Sequence, residues 1–114
     1  MLVNADCTIY EADTYTKHTL RDVYWHDSRG RTIIRGGIQV QDSLLVYLYD
    51  DAYVPKAGDL IVRGSQDFSF DTQSQQAVSQ SMKQFRAAYP GFAVVKNVDN
   101  VMYGGLPHIE VIAR

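Results

Sequence analysis

Cysteine is nearly missing from this chain. Cys7 stands alone among 114 residues, so no disulfide can form within the chain. That pattern suits a reducing compartment. A basic excess is missing too, since eleven Lys and Arg against thirteen Asp and Glu leave a formal charge of -2. Nucleic-acid binders usually carry the opposite sign because they must neutralise phosphates, so nucleic acid is not an expected partner. Arg29, Arg31 and Arg35 form the one basic cluster, and a solvated turn accounts for it. No apolar run approaches the ~20 residues that cross a bilayer, so no membrane association is expected. Met1 to Asp6 meets a charge before any apolar run forms, unlike a secretory signal. The chain is therefore expected to be made, and to be soluble, in the cytoplasm.

What is present is β pattern. The length fits one domain, residues 1–114, large enough for a single core without staples. Eight tyrosines are many for this size. Tyr packs its ring while its hydroxyl stays wet, which suits sheets and interfaces. Cys7–Tyr10 and Thr19–His26 read as strands, with Leu20, Val23 and Trp25 as apolar weight in the second. Arg31–Ile34 reads as another, making 19–34 a hairpin around Gly30. The clearest strand follows Gly36-Gly37. Ile38, Val40, Leu44, Val46 and Leu48 all fall on even positions, the period of a sheet with one core face. Asp42 interrupts that face, which a bulge or a strand end would relieve. The odd positions carry Leu45, Tyr47 and Tyr49, so the second face is not simply wet.

Leu60–Val62, Phe92–Val98 and His108–Ala113 complete the strands, with Ile109 and Val111 on one face of the last and Ile112 on the other. Asp99-Asn100 and Gly104-Gly105 read as turns. Val78, Met82, Phe85 and Tyr89 lie on one helical stripe, predicting one amphipathic helix at about 72–89, capped by Asp71 or Thr72 and stopped by Pro90-Gly91. The fold class is mainly β (α+β). The economical architecture is a small, partly closed β-barrel or sandwich of about seven strands with one helix packed on the sheet. Residues 11–18, 50–57 and 99–107 are the expected loops.

Catalytic patterns are few. Gly36-Gly37 and Gly104-Gly105 lack the residues that turn a glycine loop into a phosphate cradle. His26 and Asp27 are neighbours on a strand and point to opposite faces, so they do not chelate together. His108 and Glu110 share a face, but a metal wants three or four converging ligands. Cys7 has only Asp6 and Glu11 nearby, the wrong sign to activate a thiol, and reads as a small core residue. Asp50-Asp51 reads as a solvated turn. Catalytic, metal and cofactor roles are therefore not expected. Trp25, Tyr47 and Tyr49 lack the basic interleaving of a single-strand stacking platform.

Several blocks, in order along the chain, resemble a known group. Asn4-Ala5-Asp6-Cys7-Thr8-Ile9-Tyr10, Val23-Tyr24-Trp25, Gly58-Asp59-Leu60-Ile61-Val62-Arg63-Gly64, Val98-Asp99-Asn100 and Gly104-Gly105-Leu106-Pro107-His108 are similar to blocks of small proteins of unknown function from phages and prophages of Gram-positive bacteria. The last two also resemble the C-terminal half of head–tail stopper proteins, small β-barrels arranged as rings. Ile109 departs from that pattern, which places an aromatic there. The resemblance implies a non-enzymatic virion subunit, a head–tail connector, neck or minor capsid protein. It would act as a ring-like homo-oligomer with other phage head, neck and tail proteins, in the bacterial cytoplasm during assembly and in the virion of an active prophage. The resemblance carries no catalytic residue. Leu45, Tyr47, Tyr49, Tyr103 and His108 are the expected protein-interface residues. The alternative from another class is an oligonucleotide- or oligosaccharide-binding module with an open barrel face.

Overall fold

The computed structural model describes residues 3–29, 33–35, 38–40, 43–101 and 107–114. Eight strands and one helix follow in the order β1 (Ala5–Tyr10), β2 (Lys17–Asp27), β3 (Ile33–Arg35), β4 (Ile38–Val40), β5 (Leu44–Leu48), β6 (Leu60–Arg63), α1 (Gln75–Ala88), β7 (Ala93–Val101) and β8 (His108–Ala113). Six of the strands close an antiparallel barrel in the order β1-β2-β5-β8-β7-β6. β3 and β4 form a separate two-stranded sheet. The chain is thus a mainly β barrel with one helix, as its patterning predicts, and the barrel is closed.

The inward residues of the six strands make the barrel core. Leu44, Val46 and Leu48 of β5 and Ile109 and Val111 of β8 are fully or almost fully buried, with Ile9, Ile61 and Val95 beside them. Cys7 belongs to this core. Burial, then the Asp6 carboxylate, pushes its thiol up to about 12, which leaves it inert at neutral pH.

Two bulges let the strands curve into closure. On β2, Leu20, Val23 and Trp25 all point inward although the first two are three residues apart. The register with β1 shifts between Ala5↔Val23 and Cys7↔Leu20, absorbing one extra residue. Asp22 there adopts a left-handed φ of 58°, and its N–H donates to Asp6 Oδ1 at 3.0 Å. β7 does the same between Val95 and Asn97.

The outward residues of β1, β6 and β7 are also apolar: Tyr10, Leu60, Val62 and Val94. α1 covers them through Phe85 and Met82, helped by Phe68 and Phe70 from the connection before it. Six rings (Tyr10, Phe68, Phe70, Phe85, Tyr89, Phe92) mesh at centroid separations of 5.2–6.1 Å. The connection is pinned as well as packed. Tyr10 Oη donates to the Phe68 carbonyl at 2.7 Å, and the buried Thr8 hydroxyl bonds the Gly64 carbonyl and the Gln66 N–H.

Several expectations need correction. The hairpin over 19–34 does not form: β2 pairs with β1 and β5, and β3 pairs with β4. The single strand over 38–49 is two strands in different sheets, β4 ending at Val40 and β5 beginning at Leu44; Asp42 lies outside the described residues. The helix starts at Gln75, capped by Ser74 and not by Asp71 or Thr72: Ser74 Oγ accepts from the Ala77 N–H at 3.1 Å. Asp99 and Asn100 are strand, not turn, paired with Glu110 and Ile109. Lys17 and His18 likewise belong to β2, not to a loop. Arg29 sits in a turn, as expected, but is not simply solvated, and the side chains of Arg31 and Arg35 lie outside what is described. Arg29 holds Asp27 at 2.9–3.0 Å and donates to the carbonyls of Gly91 and Phe92.

Candidate interaction surface

Strand alternation and the ladder registers set the outward rows on the far side of the barrel. One row runs Tyr24, Tyr47, Glu110, Asp99 across β2, β5, β8 and β7; the next runs His26, Leu45, Ile112, Asn97. Tyr24 and Tyr47 pack at 5.5 Å between ring centroids, and Tyr47 reaches the His108 ring at 4.8 Å. His26 lies along Tyr24 at 6.2 Å. His108 Nε2 meets Glu110 Oε1 at 3.0 Å, so the pair predicted to share a face does so. Tyr24, Leu45 and Tyr47 are half-buried, and Ile112 is 38% exposed. α1 packs on the other side of the barrel, against Tyr10, Leu60, Val62 and Val94.

The face is apolar with an acidic border. Glu110 and Asp99 stand opposite each other across β8 and β7, and the His108 ring lies on the Glu110 carboxyl.

Of the predicted interface residues, Leu45, Tyr47 and His108 come together here. Tyr49 lies just past the end of β5 and lines a hollow with Leu20, Arg21, Asp22 and Asp50. Tyr103 lies outside the described residues. Tyr24 and Ile112 join the surface although sequence reasoning did not select them. The parity of Tyr24, between inward Val23 and Trp25, was the available signal. What parity could not supply is that β2 neighbours β5.

A second polar cluster closes one end of the barrel. Asp59 is fully buried and accepts from the Ala12 N–H, the Lys56 N–H and the Tyr53 hydroxyl, the last at 2.5 Å. Burial first, then the Asp59 hydrogen bond, drives the Tyr53 hydroxyl well above its ordinary pKa. His18 stacks on Tyr53 at 3.9 Å and bonds Glu11 at 2.8 Å, which with Lys56 holds the Glu11 carboxyl below its usual range. Both carboxylate oxygens of Asp59 are spent on tying Ala12 to Tyr53 and Lys56, so the arrangement is a clasp. The blocks that carry the resemblance contribute such fixtures: Asn4 brackets the Trp25 backbone, Asp6 holds the β2 bulge, Thr8 and Asp59 pin loops. Among the described residues no group of three or more His, Cys, Asp or Glu is placed to hold a metal ion, and no helix is long and apolar enough to cross a membrane.

The chain belongs to a family of unknown function, DUF6751, whose model matches residues 2–114. No curated protein and no solved structure matches it.

Proposed function

We propose that this protein is a non-enzymatic assembly subunit that works by contact with further copies and with other proteins. The observation that supports the reading is the open face. Tyr24, Leu45, Tyr47 and Ile112 make a contiguous apolar surface that the chain's own helix does not cover. Large exposed apolar patches rimmed by polar groups mark protein contacts, and tyrosine is enriched at their centres. The finer placement, a head–tail connector, neck or minor capsid subunit of a phage or prophage, rests on the sequence blocks. Those of the matching residues that the structure describes include fixtures of the barrel: Asn4, Asp6, Thr8 and Asp59.

Sedimentation velocity over a range of concentrations tests the assembly reading. Association that rises with concentration and weakens in Tyr47→Ala is expected; a wild-type chain that stays monomeric throughout overturns it. For the virion placement, head and tail genes are expected to flank this gene, and neighbours of metabolism alone would count against it. The Tyr24–Tyr47 pair also suits stacking on a base or a sugar, as an open-barrel binder would require. The carboxyl groups of Glu110 and Asp99 beside it repel phosphate, so an uncharged oligosaccharide is the form of that reading left to test by calorimetry.

A further inference from the structure

We propose that the loop at 50–54 of one copy seats in the hollow between the 11–16 turn and α1 of a second copy, a contact additional to the open face that rests on the assembly reading above. The hollow measures about 380 Å³ and is lined by Tyr15, Val78, Ser79, Met82, Lys83 and Arg86. Ligand sites begin near ~300 Å³, so it has room for the tip of a loop. Val78 and Met82 lie half-buried on one stripe of α1 and supply an apolar floor. Tyr15 contributes from the turn, with a left-handed φ of 58° that bulky residues rarely adopt. The turn holds it there. The Tyr15 N–H donates to the Glu11 carbonyl at 2.9 Å, the Glu11 N–H to the Thr16 carbonyl at 3.0 Å, and the Tyr15 ring stacks on Phe70 at 4.7 Å. The receiving site is therefore preformed.

Its charge has no answer within its own chain. Lys83 and Arg86 are exposed, α1 contains no acid, and among the described residues neither cation makes an ion pair. The acids of the neighbouring turn are engaged elsewhere, Glu11 by His18 and Lys56 and Asp13 by Lys56. The loop after β5 has the opposite composition. Asp50 and Asp51 are exposed and likewise make no ion pair among the described residues. Val54 is 43% exposed, with Val3 and Ile112 one of three large hydrophobic residues in the open among those described. The loop is held as firmly as the hollow: the Ala52 N–H donates to Asp50 Oδ1 at 3.0 Å, and Tyr53 and Lys56 are tied to Asp59. Docking two preformed parts costs little ordering entropy. An apolar residue with two carboxylates thus matches an apolar floor with two cations, whereas a small anion would leave Val54 in water. Asp59 also holds Ala12, so loop and turn share one end of the barrel, and two copies can exchange loops about a two-fold axis.

A charge exchange tests this. One variant carries Lys83→Glu and Arg86→Glu, the other Asp50→Lys and Asp51→Lys. All four side chains are exposed, so thermal stability should not move. Each variant alone should self-associate at least ~tenfold more weakly than wild type in sedimentation velocity, because like charges then face each other. An equimolar mixture should recover wild-type association, since every loop again meets a hollow of opposite sign. Lys83→Gln with Arg86→Gln, and Asp50→Asn with Asp51→Asn, replace any reversed variant that fails to fold; each should weaken association and flatten its dependence on salt. If the reversed variants assemble like wild type, this contact is wrong and the assembly reading survives. If both weaken and the mixture does not recover, the charges act elsewhere and the contact is again wrong. Inorganic phosphate bound in calorimetry and lost in Lys83→Glu, Arg86→Glu, with assembly unchanged, would assign the hollow to a small anion and overturn the contact. A wild-type chain monomeric at every concentration removes both readings.

Discussion

On one side of the barrel the outward residues are Tyr10, Leu60, Val62 and Val94; on the other they are Tyr24, Leu45, Tyr47 and Ile112. The two sets have the same chemistry. α1, with Phe68 and Phe70, covers the first, and Tyr10 is fully buried with its hydroxyl satisfied by the Phe68 carbonyl and its pKa raised to about 12, by burial and then by Tyr89. The second retains solvent contact. Apolar surface on the covered side has already been removed from water, so it stabilises the fold. The same surface on the open side keeps that free energy available for association.

The largest test of this contrast is Phe85→Ala. Phe85 is the buried centre of the covered side, and its loss should lower the unfolding free energy by about 3–5 kcal/mol in urea titration. Association per folded molecule should not change. Asp59→Ala acts at the barrel end, on neither face. It strips the buried Ala12 N–H, the Lys56 N–H and the Tyr53 hydroxyl of their acceptor, and about 3 kcal/mol of lost stability is expected in the same assay. Tyr47→Ala reverses the Phe85→Ala pattern. Unfolding should change by about 1 kcal/mol or less, while self-association weakens about tenfold by sedimentation. Equal stability losses from Phe85→Ala and Tyr47→Ala would erase the distinction between the faces.

The smallest effect concerns pH. Hydrogen bonds from the Arg29 side chain, aided by its backbone N–H and charge, hold the Asp27 carboxyl below its ordinary value. A carboxyl depressed in the folded state contributes stability above its unfolded value, near ~4, and loses it as pH falls through the folded value. Unfolding free energy should therefore drop with acidification below about pH 4, and less steeply in Arg29→Gln. Because Asp27 is partly exposed, the difference will be small. An identical acid slope in the variant would show that Arg29 is not what holds the Asp27 carboxyl down.

Much of the barrel was legible residue by residue. Alternation through Leu44, Val46 and Leu48, and through Ile109 and Val111, identified inward positions that are buried. The stripe of Val78, Met82, Phe85 and Tyr89 located the helix. Phe68 and Phe70 were missed because they lie in a connection with no regular period, although their alternation about Ser69 was a signal. The clasp at Asp59 was missed because its partners, Ala12, Tyr53 and Lys56, come from two separate loops. The Leu20 to Val23 spacing reads as a defect until a left-handed Asp22 supplies the extra residue.

By itself, the amino-acid order determined which side of each strand is apolar and where one amphipathic helix must lie. These follow from the local geometry of the chain, with periods of 2 and 3.6 that any window of residues reveals. Only the tertiary structure decided that β2 and β8 flank β5, that the helix packs on the Tyr10 side, and that β3 and β4 pair with each other in a sheet of their own. Strand order and helix placement depend on contacts between residues far apart in the chain, and no local period encodes which of two equally apolar faces will be covered.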